Sequence, residues 1–316
     1  MPARSMRLST FNSRIVGSSK LAGHAGMLRL IAISGVIAFG LYAALIEIWS
    51  PDVHAGQDQE ADNAIAIERF LYDEPAPEAA IVGSSQAQHI PAAVFGPGIA
   101  NLALAAESPL VGLTIIARSG RVPRRIYVET NQIAGPVDTG LIDGFFTEPG
   151  YTLKRFVKAL RTTYQPANLL VSLARRAARG RDEIYYPKLA DPALHDVLVA
   201  REQGLLNMPP NALLLESNLG EMKRLVDLLT AQGAEFVFFE MPIEPRFEQA
   251  AGVIAVRKAM HAAFPDDRAC WYGGTPAGLP TTDGVHIDSE EAARFGQSLV
   301  QTVCQPTLAA EPPSRH

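Results

Sequence analysis

The spacing of apolar and polar positions divides the chain into regions of different character. Residues 30–46 read LIAISGVIAFGLYAALI, with no charged side chain and no polar face. A core helix of a soluble domain keeps a polar stripe, so this pattern predicts a helix from Leu28 to Trp49, long enough to cross a bilayer. Residues 50–78 are polar and acidic and predict a stalk with a short helix over Ala64–Tyr72. Beyond them, short apolar runs alternate with longer segments of helical period. AAIVGS (79–84), IANLAL (99–104), RIYVET (125–130), EFVFFEM (235–241) and ACWY (269–272) read as strands. Pro109–Arg118, Leu219–Gln232, Glu248–Phe264 and Ser289–Val303 read as helices, the last with Ala292, Phe295, Leu299 and Val303 on one face. Such alternation predicts an α/β fold with a parallel sheet covered on both faces. Residues 133–212 break the rhythm with a basic helical stretch (Leu169–Arg181) and a Tyr/Pro-rich segment around Tyr185–Pro187, and read as a helical insert forming a cap. The plan is a basic tail (1–27), a membrane helix (28–49), a stalk (50–78), an α/β domain (79–305) with its insert, and a disordered tail (306–316).

Charge gives this plan a direction. Arg4, Arg7, Arg14, Lys20 and Arg29 lie at or before the start of the apolar run with no acidic residue among them, leaving 23 basic against 33 acidic side chains in the rest. The positive-inside bias then places the N-terminus in the cytoplasm and the main domain outside, periplasmic or extracellular. Val53-His54-Ala55 resembles a small-residue cleavage site, so a removed signal peptide is the rival to an uncleaved anchor. The formal charge of −5 argues against general nucleic-acid binding, and 47% hydrophobic residues exclude a disordered chain. Two cysteines cannot build a disulfide scaffold. Cys270 and Cys304 would both face the oxidising side, as a disulfide pair or as two buried thiols.

Three segments carry candidate chemistry. In IVGSSQAQHI (81–90) a strand runs into Gly83-Ser84-Ser85 and a helix start, where a serine hydroxyl stands beside backbone N–H groups able to stabilise an oxyanion. Taken alone, that turn reads equally as a serine helix cap. In TTDGVHIDSEEAARF (281–295), Asp283 and His286 are three apart. One loop can thus supply a histidine with the acid that fixes its tautomer, while Asp288 reads as the N-cap of the final helix, with Glu291 completing a capping box. In IYVETNQ (126–132), Asn131 ends a strand, where its carboxamide can donate to an oxyanion or form a turn.

The order of these blocks resembles the SGNH (GDSL-like) hydrolase superfamily. The resemblance covers residues 79–132 and 235–303 and implies a three-layer, flavodoxin-like parallel sheet. It implies Ser85 as nucleophile, His286 as general base and Asp283 as its orienter. The Ser85 N–H, the Ala106 N–H and the Asn131 side chain would be the oxyanion donors, with no metal or cofactor. Ser84 stands where the family commonly has Asp, Ala106 where it has Gly, and Gln132 where it has Asp. The Gly-Ser-Ser opening, the apolar anchor and FFEMPIEP (238–245) are closer to a membrane-anchored branch that includes proteins of alginate O-acetylation and teichoic-acid D-alanyl transfer. The implied activity is transfer or hydrolysis of O-acyl groups on cell-surface or exported polysaccharide. Its partners would be an acyl donor, a glycan acceptor and a neighbouring membrane-bound O-acyltransferase. A non-catalytic scaffold or glycan-binding component is the alternative of another class.

Overall fold

Five parallel strands, in the spatial order β2-β1-β3-β4-β5, form the sheet of the protein in a computed structural model that describes residues 17–91, 94, 96, 98–180, 188, 191–275 and 278–302. The elements follow as α1 (Gly17–Trp49), α2 (Gln59–Tyr72), β1 (Ala79–Gly83), α3 (Ser85–Gln88), β2 (Ile99–Ala103), α4 (Pro109–Ser119) and β3 (Arg125–Glu129). Then come α5 (Thr139–Phe146), α6 (Gly150–Phe156), α7 (Pro166–Arg179), α8 (Pro192–Leu206), α9 (Ala212–Thr230), β4 (Glu235–Phe239), α10 (Ala251–Ala263), β5 (Cys270–Trp271) and α11 (Ser289–Val300). The chain divides into two units, residues 1–51 and 52–316.

In the first unit, α1 contains the apolar stretch Gly26–Trp49, with a mean hydropathy of 2.1 over its most apolar window. That length and composition suit a membrane anchor or a signal segment. Residues 1–16 lie outside the described residues.

In the second unit, β1 is buried along its whole length, as a central parallel strand should be. Successive side chains point to opposite faces of the sheet, which splits the core in two. Val82, Leu102, Val128 and Phe238 pack under α4, α9 and α10 through Leu113, Ile116, Met222, Leu225 and Met260. Ile81, Tyr127, Val237 and Phe239 pack under α11 through Ala292, Phe295 and Leu299. The expected face of the last helix is therefore buried as far as Leu299; Val303 lies outside the described residues. Asp288 caps that helix, accepting from Glu290 N–H at 2.9 Å and Glu291 N–H at 3.0 Å. The capping box is only half made, because the Glu291 carboxylate takes Arg294 at 2.6 Å.

One expectation needs correction. Residues 52–78 are not a stalk standing apart: α2 starts at Gln59, capped by Asp58, and buries Ile67, Phe70 and Leu71 in the main core. Its polar first turn hides an amphipathic helix. The inserted region 133–212 carries α5, α6, α7 and α8 and joins the same core through Ile133 and Ile142. Glu68 on α2, with no solvent exposure, ties that region down by accepting from Lys154 at 2.9 Å, Thr162 N–H at 2.9 Å and Thr163 N–H at 3.0 Å. Cys270 on β5 is disulfide-bonded. Cys304, the Tyr185–Pro187 segment and the tail from 306 lie outside the described residues.

Candidate active site

In this strand order the chain leaves β1 for β2 on one side and returns to β3 on the other, opening a crevice at the carboxyl ends of β1 and β3. The turn after β1 stands there. Ser84 has extended φ/ψ (−97°, −166°) and is the N-cap of α3, accepting from Gln86 N–H at 3.3 Å. It is 2% exposed. Ser85, the first residue of α3, is half-buried and turned elsewhere: its Oγ lies 2.9 Å from His286 Nε2. The two serines thus separate into a cap and a reactive candidate. Gly83 has no room for a side chain, because a Cβ would stand 2.7 Å from both Cβ and Oε2 of Glu129. Glu129, wholly buried at the end of β3, accepts the Ser84 N–H at 2.5 Å and so holds the turn from beneath. Burial pushes its carboxyl up, against the backbone N–H groups of Ser84, Gln132 and Asn131 that favour the charged form.

The second element is the loop before α11. Asp283 divides its two oxygens between two tasks. Oδ1 accepts from Val285 N–H at 3.1 Å and His286 N–H at 2.9 Å, which shapes the loop. Oδ2 lies 2.7 Å from His286 Nδ1, which fixes the ring. A carboxylate accepts, so Nδ1 carries the proton and Nε2 is left to accept from Ser85 Oγ–H. Burial pushes the Asp283 carboxyl up, but hydrogen bonds from His286 and the adjacent backbone outweigh it, leaving the group below its usual range. Gly284 (φ +101°) gives the loop its bend, and a Cβ there would run into the Phe247 ring. From α8, Val199 packs with Ile243, Phe247 and Val285 behind the loop, so the inserted region supports the loop that carries His286.

The candidate oxyanion groups lie on two further loops. Leu104 O accepts Glu107 N–H at 3.2 Å, and Ala106 sits at φ +63° as the third residue of that turn. This left-handed position explains why a glycine suits it. Among the described residues, neither Ser85 N–H nor Ala106 N–H is given to a protein acceptor. Asn63 on α2 holds this loop, its Oδ1 accepting Ala105 N–H at 2.9 Å and its Nδ2 donating to Ala105 O at 3.0 Å. The Asn131 carboxamide is clamped to the end of β4: Nδ2 donates to Met241 O at 3.1 Å and Oδ1 accepts Met241 N–H at 2.8 Å. One amide hydrogen remains for another acceptor.

Beside Gln86 and Val285, the chain neighbours of Ser85 and His286, is a cavity of about 30 Å³ lined by aliphatic Leu206, Ile243 and Val253 and by polar Asn131, Glu240 and Arg257. On the other side, a cleft of about 300 Å³ lies between α2 and the β2 edge, lined among others by Asp62, Arg69, Gln88 and Asn101. Among the described residues no group of three or more His, Cys, Asp or Glu side chains is placed to hold a metal ion.

Sequence reasoning missed Asn63, Glu129 and His89. Asn63 falls four residues before Ile67 on the buried face of α2, and Glu129 ends an otherwise apolar strand. A polar residue at an apolar position was the available signal in both cases. His89 lies four residues after Ser85, which is one helical turn. No protein-family model matches the chain and no curated protein is significantly similar to it, so function must be argued from this geometry.

Proposed function

We propose that the protein is a serine acyltransferase or acylesterase of the SGNH type, acting outside the cytoplasm on O-acyl groups of cell-surface or exported polysaccharide. The observation that carries the reading is the relay Ser85 Oγ, His286 Nε2, His286 Nδ1 and Asp283 Oδ2, with steps of 2.9 and 2.7 Å. His286 takes the Ser85 proton as Oγ attacks the acyl carbonyl, and the oxyanion accepts from the Ser85 and Ala106 N–H groups and the remaining Asn131 amide hydrogen. Collapse expels the donor's alcohol oxygen, which receives the proton from His286 and leaves the acyl group on Ser85. A sugar hydroxyl or water, deprotonated by His286, then attacks the acyl-enzyme and frees Ser85. The smaller cavity, where aliphatic Leu206, Ile243 and Val253 meet polar Asn131, Glu240 and Arg257, favours a short acyl group over a long one. The larger cleft, with Asp62, Arg69, Gln88 and Asn101 in its wall, offers hydrogen-bonding groups to a polyhydroxylated acceptor. The basic residues ahead of α1 support an anchor with its N-terminus in the cytoplasm, beside a membrane-bound O-acyltransferase.

The test is fluorophosphonate labelling and ester turnover by the full chain in detergent micelles. Wild type should label and should hydrolyse an acetyl ester faster than a hexanoyl ester, and Ser85→Ala should do neither. A wild-type protein inert in both assays gives the lead to the scaffold reading.

A further inference from the structure

A second histidine lies against the relay. His89, the C-cap of α3, is 5% exposed, and its ring stacks on that of His286 with centroids 4.7 Å apart and planes 24° from parallel. Its Nδ1 lies 3.1 Å from Ile287 O. A carbonyl only accepts, so Nδ1 carries the proton of this bond. Ser85 and His89 begin and cap the same helical turn, and His286 and Ile287 are adjacent in the loop that carries the base.

We propose that His89 is a positioning residue for His286, tying the base-bearing loop to the nucleophile's own helical turn by a face-on ring contact and a hydrogen bond to Ile287 O. The proposal rests on the acyl-transfer reading of the relay. Asp283 holds His286 within the ring plane but leaves the ring faces unconstrained. His89 covers one face, so the imidazole cannot swing out of line with Ser85 without displacing a buried ring. Among the described residues, the groups facing His89 include His286, Asp283 and the Ile287 carbonyl. Burial first, and the neighbouring His286 second, push the His89 pKa down to about 3, while the Ile287 carbonyl and Asp283 pull it up. His89 therefore stays neutral, and the stack leaves His286 free to take the single proton of the reaction. Two charged rings at this separation would repel.

Three variants of the full chain in micelles separate the two contacts. His89→Phe keeps a ring but loses the donor, His89→Asn keeps a donor but loses the ring, and His89→Ala loses both. Each single loss should lower kcat about two- to tenfold, and the double loss up to about 100-fold, with KM unchanged. A second readout needs no turnover: the downfield proton NMR signal of His286 Nδ1–H should be sharp in wild type and lost to solvent exchange in His89→Ala. Wild-type kcat together with an intact Nδ1 proton in His89→Ala overturns the proposal, as does a fall in KM-linked binding with kcat untouched. If wild type proves inert toward esters but the proton signal still depends on His89, the positioning stands and the acyl-transfer reading falls.

Discussion

Acid should weaken this protein through His89, and replacing that residue should flatten the response. The folded-state pKa of His89 is pushed down to about 3 from an ordinary 6.5, first by burial and then by the neighbouring His286. The folded state therefore binds fewer protons than the unfolded chain between those values, and stability falls as pH falls. The contribution is complete above the ordinary value and lost as pH drops toward 3. At 1.36 kcal/mol per unit the full window is worth about 5 kcal/mol, of which about 3 kcal/mol falls between pH 7 and pH 4. Such a fraction of a domain's net stability is easily measured. The assay is urea unfolding of the full chain in micelles, followed by tryptophan fluorescence, at both pH values for wild type and His89→Phe. The depressed Asp283 carboxyl also loses stability as pH falls through its folded value, but it is present in both proteins and cancels in the difference. Wild type should lose about 3 kcal/mol more than the variant on acidification. Equal losses, or a steeper loss in the phenylalanine variant, would refute the burial argument.

Four further outcomes follow from individual contacts. Ser84→Ala should keep fluorophosphonate labelling while losing about 1 kcal/mol of stability with the α3 cap, read by urea midpoint; loss of labelling would show that the cap and nucleophile roles are reversed. Ala106→Gly should stabilise by about 1 kcal/mol, read from a higher urea midpoint, because φ +63° costs alanine and not glycine. Asn131→Ala should destabilise by about 1–3 kcal/mol through the freed Met241 N–H and C=O, and should cost about 10²–10³-fold in kcat if its remaining amide hydrogen serves the oxyanion. Gly83→Ala should cost about 1–3 kcal/mol by driving Glu129 away from the Ser84 N–H, and Glu129 should show the displacement in a crystal structure.

The parts legible in the sequence are those set by local pattern. AAIVG is buried throughout, and RIYVE and EFVFF are buried beyond their first one or two residues, because a sheet covered on both faces leaves no polar side; their apolar runs announce it. Asp283 and His286 were legible because both belong to one loop, whose three-residue spacing lets a single carboxylate reach the backbone and the ring. Long-range partners left no such mark. Glu129 meets Ser84 across 45 residues, Asn63 meets Ala105 across 42, and His89 meets Ile287 across 198. The start of α2 misled for a physical reason: its Asp and Gln residues serve as a cap and a first turn, and only the next two turns show the apolar face.

The hydrogen bond between Ser85 and His286 joins positions 201 residues apart. A ribosome makes the chain from its N-terminus, at about 5–20 residues per second, so the serine is synthesised well before the histidine it bonds. During that interval the hydroxyl has an ordinary alcohol's reactivity, because nothing is present to remove its proton. On the acyl-transfer proposal, the serine would therefore become a nucleophile only once the loop carrying His286 has joined the fold, and a product truncated before that loop would carry an unactivated hydroxyl.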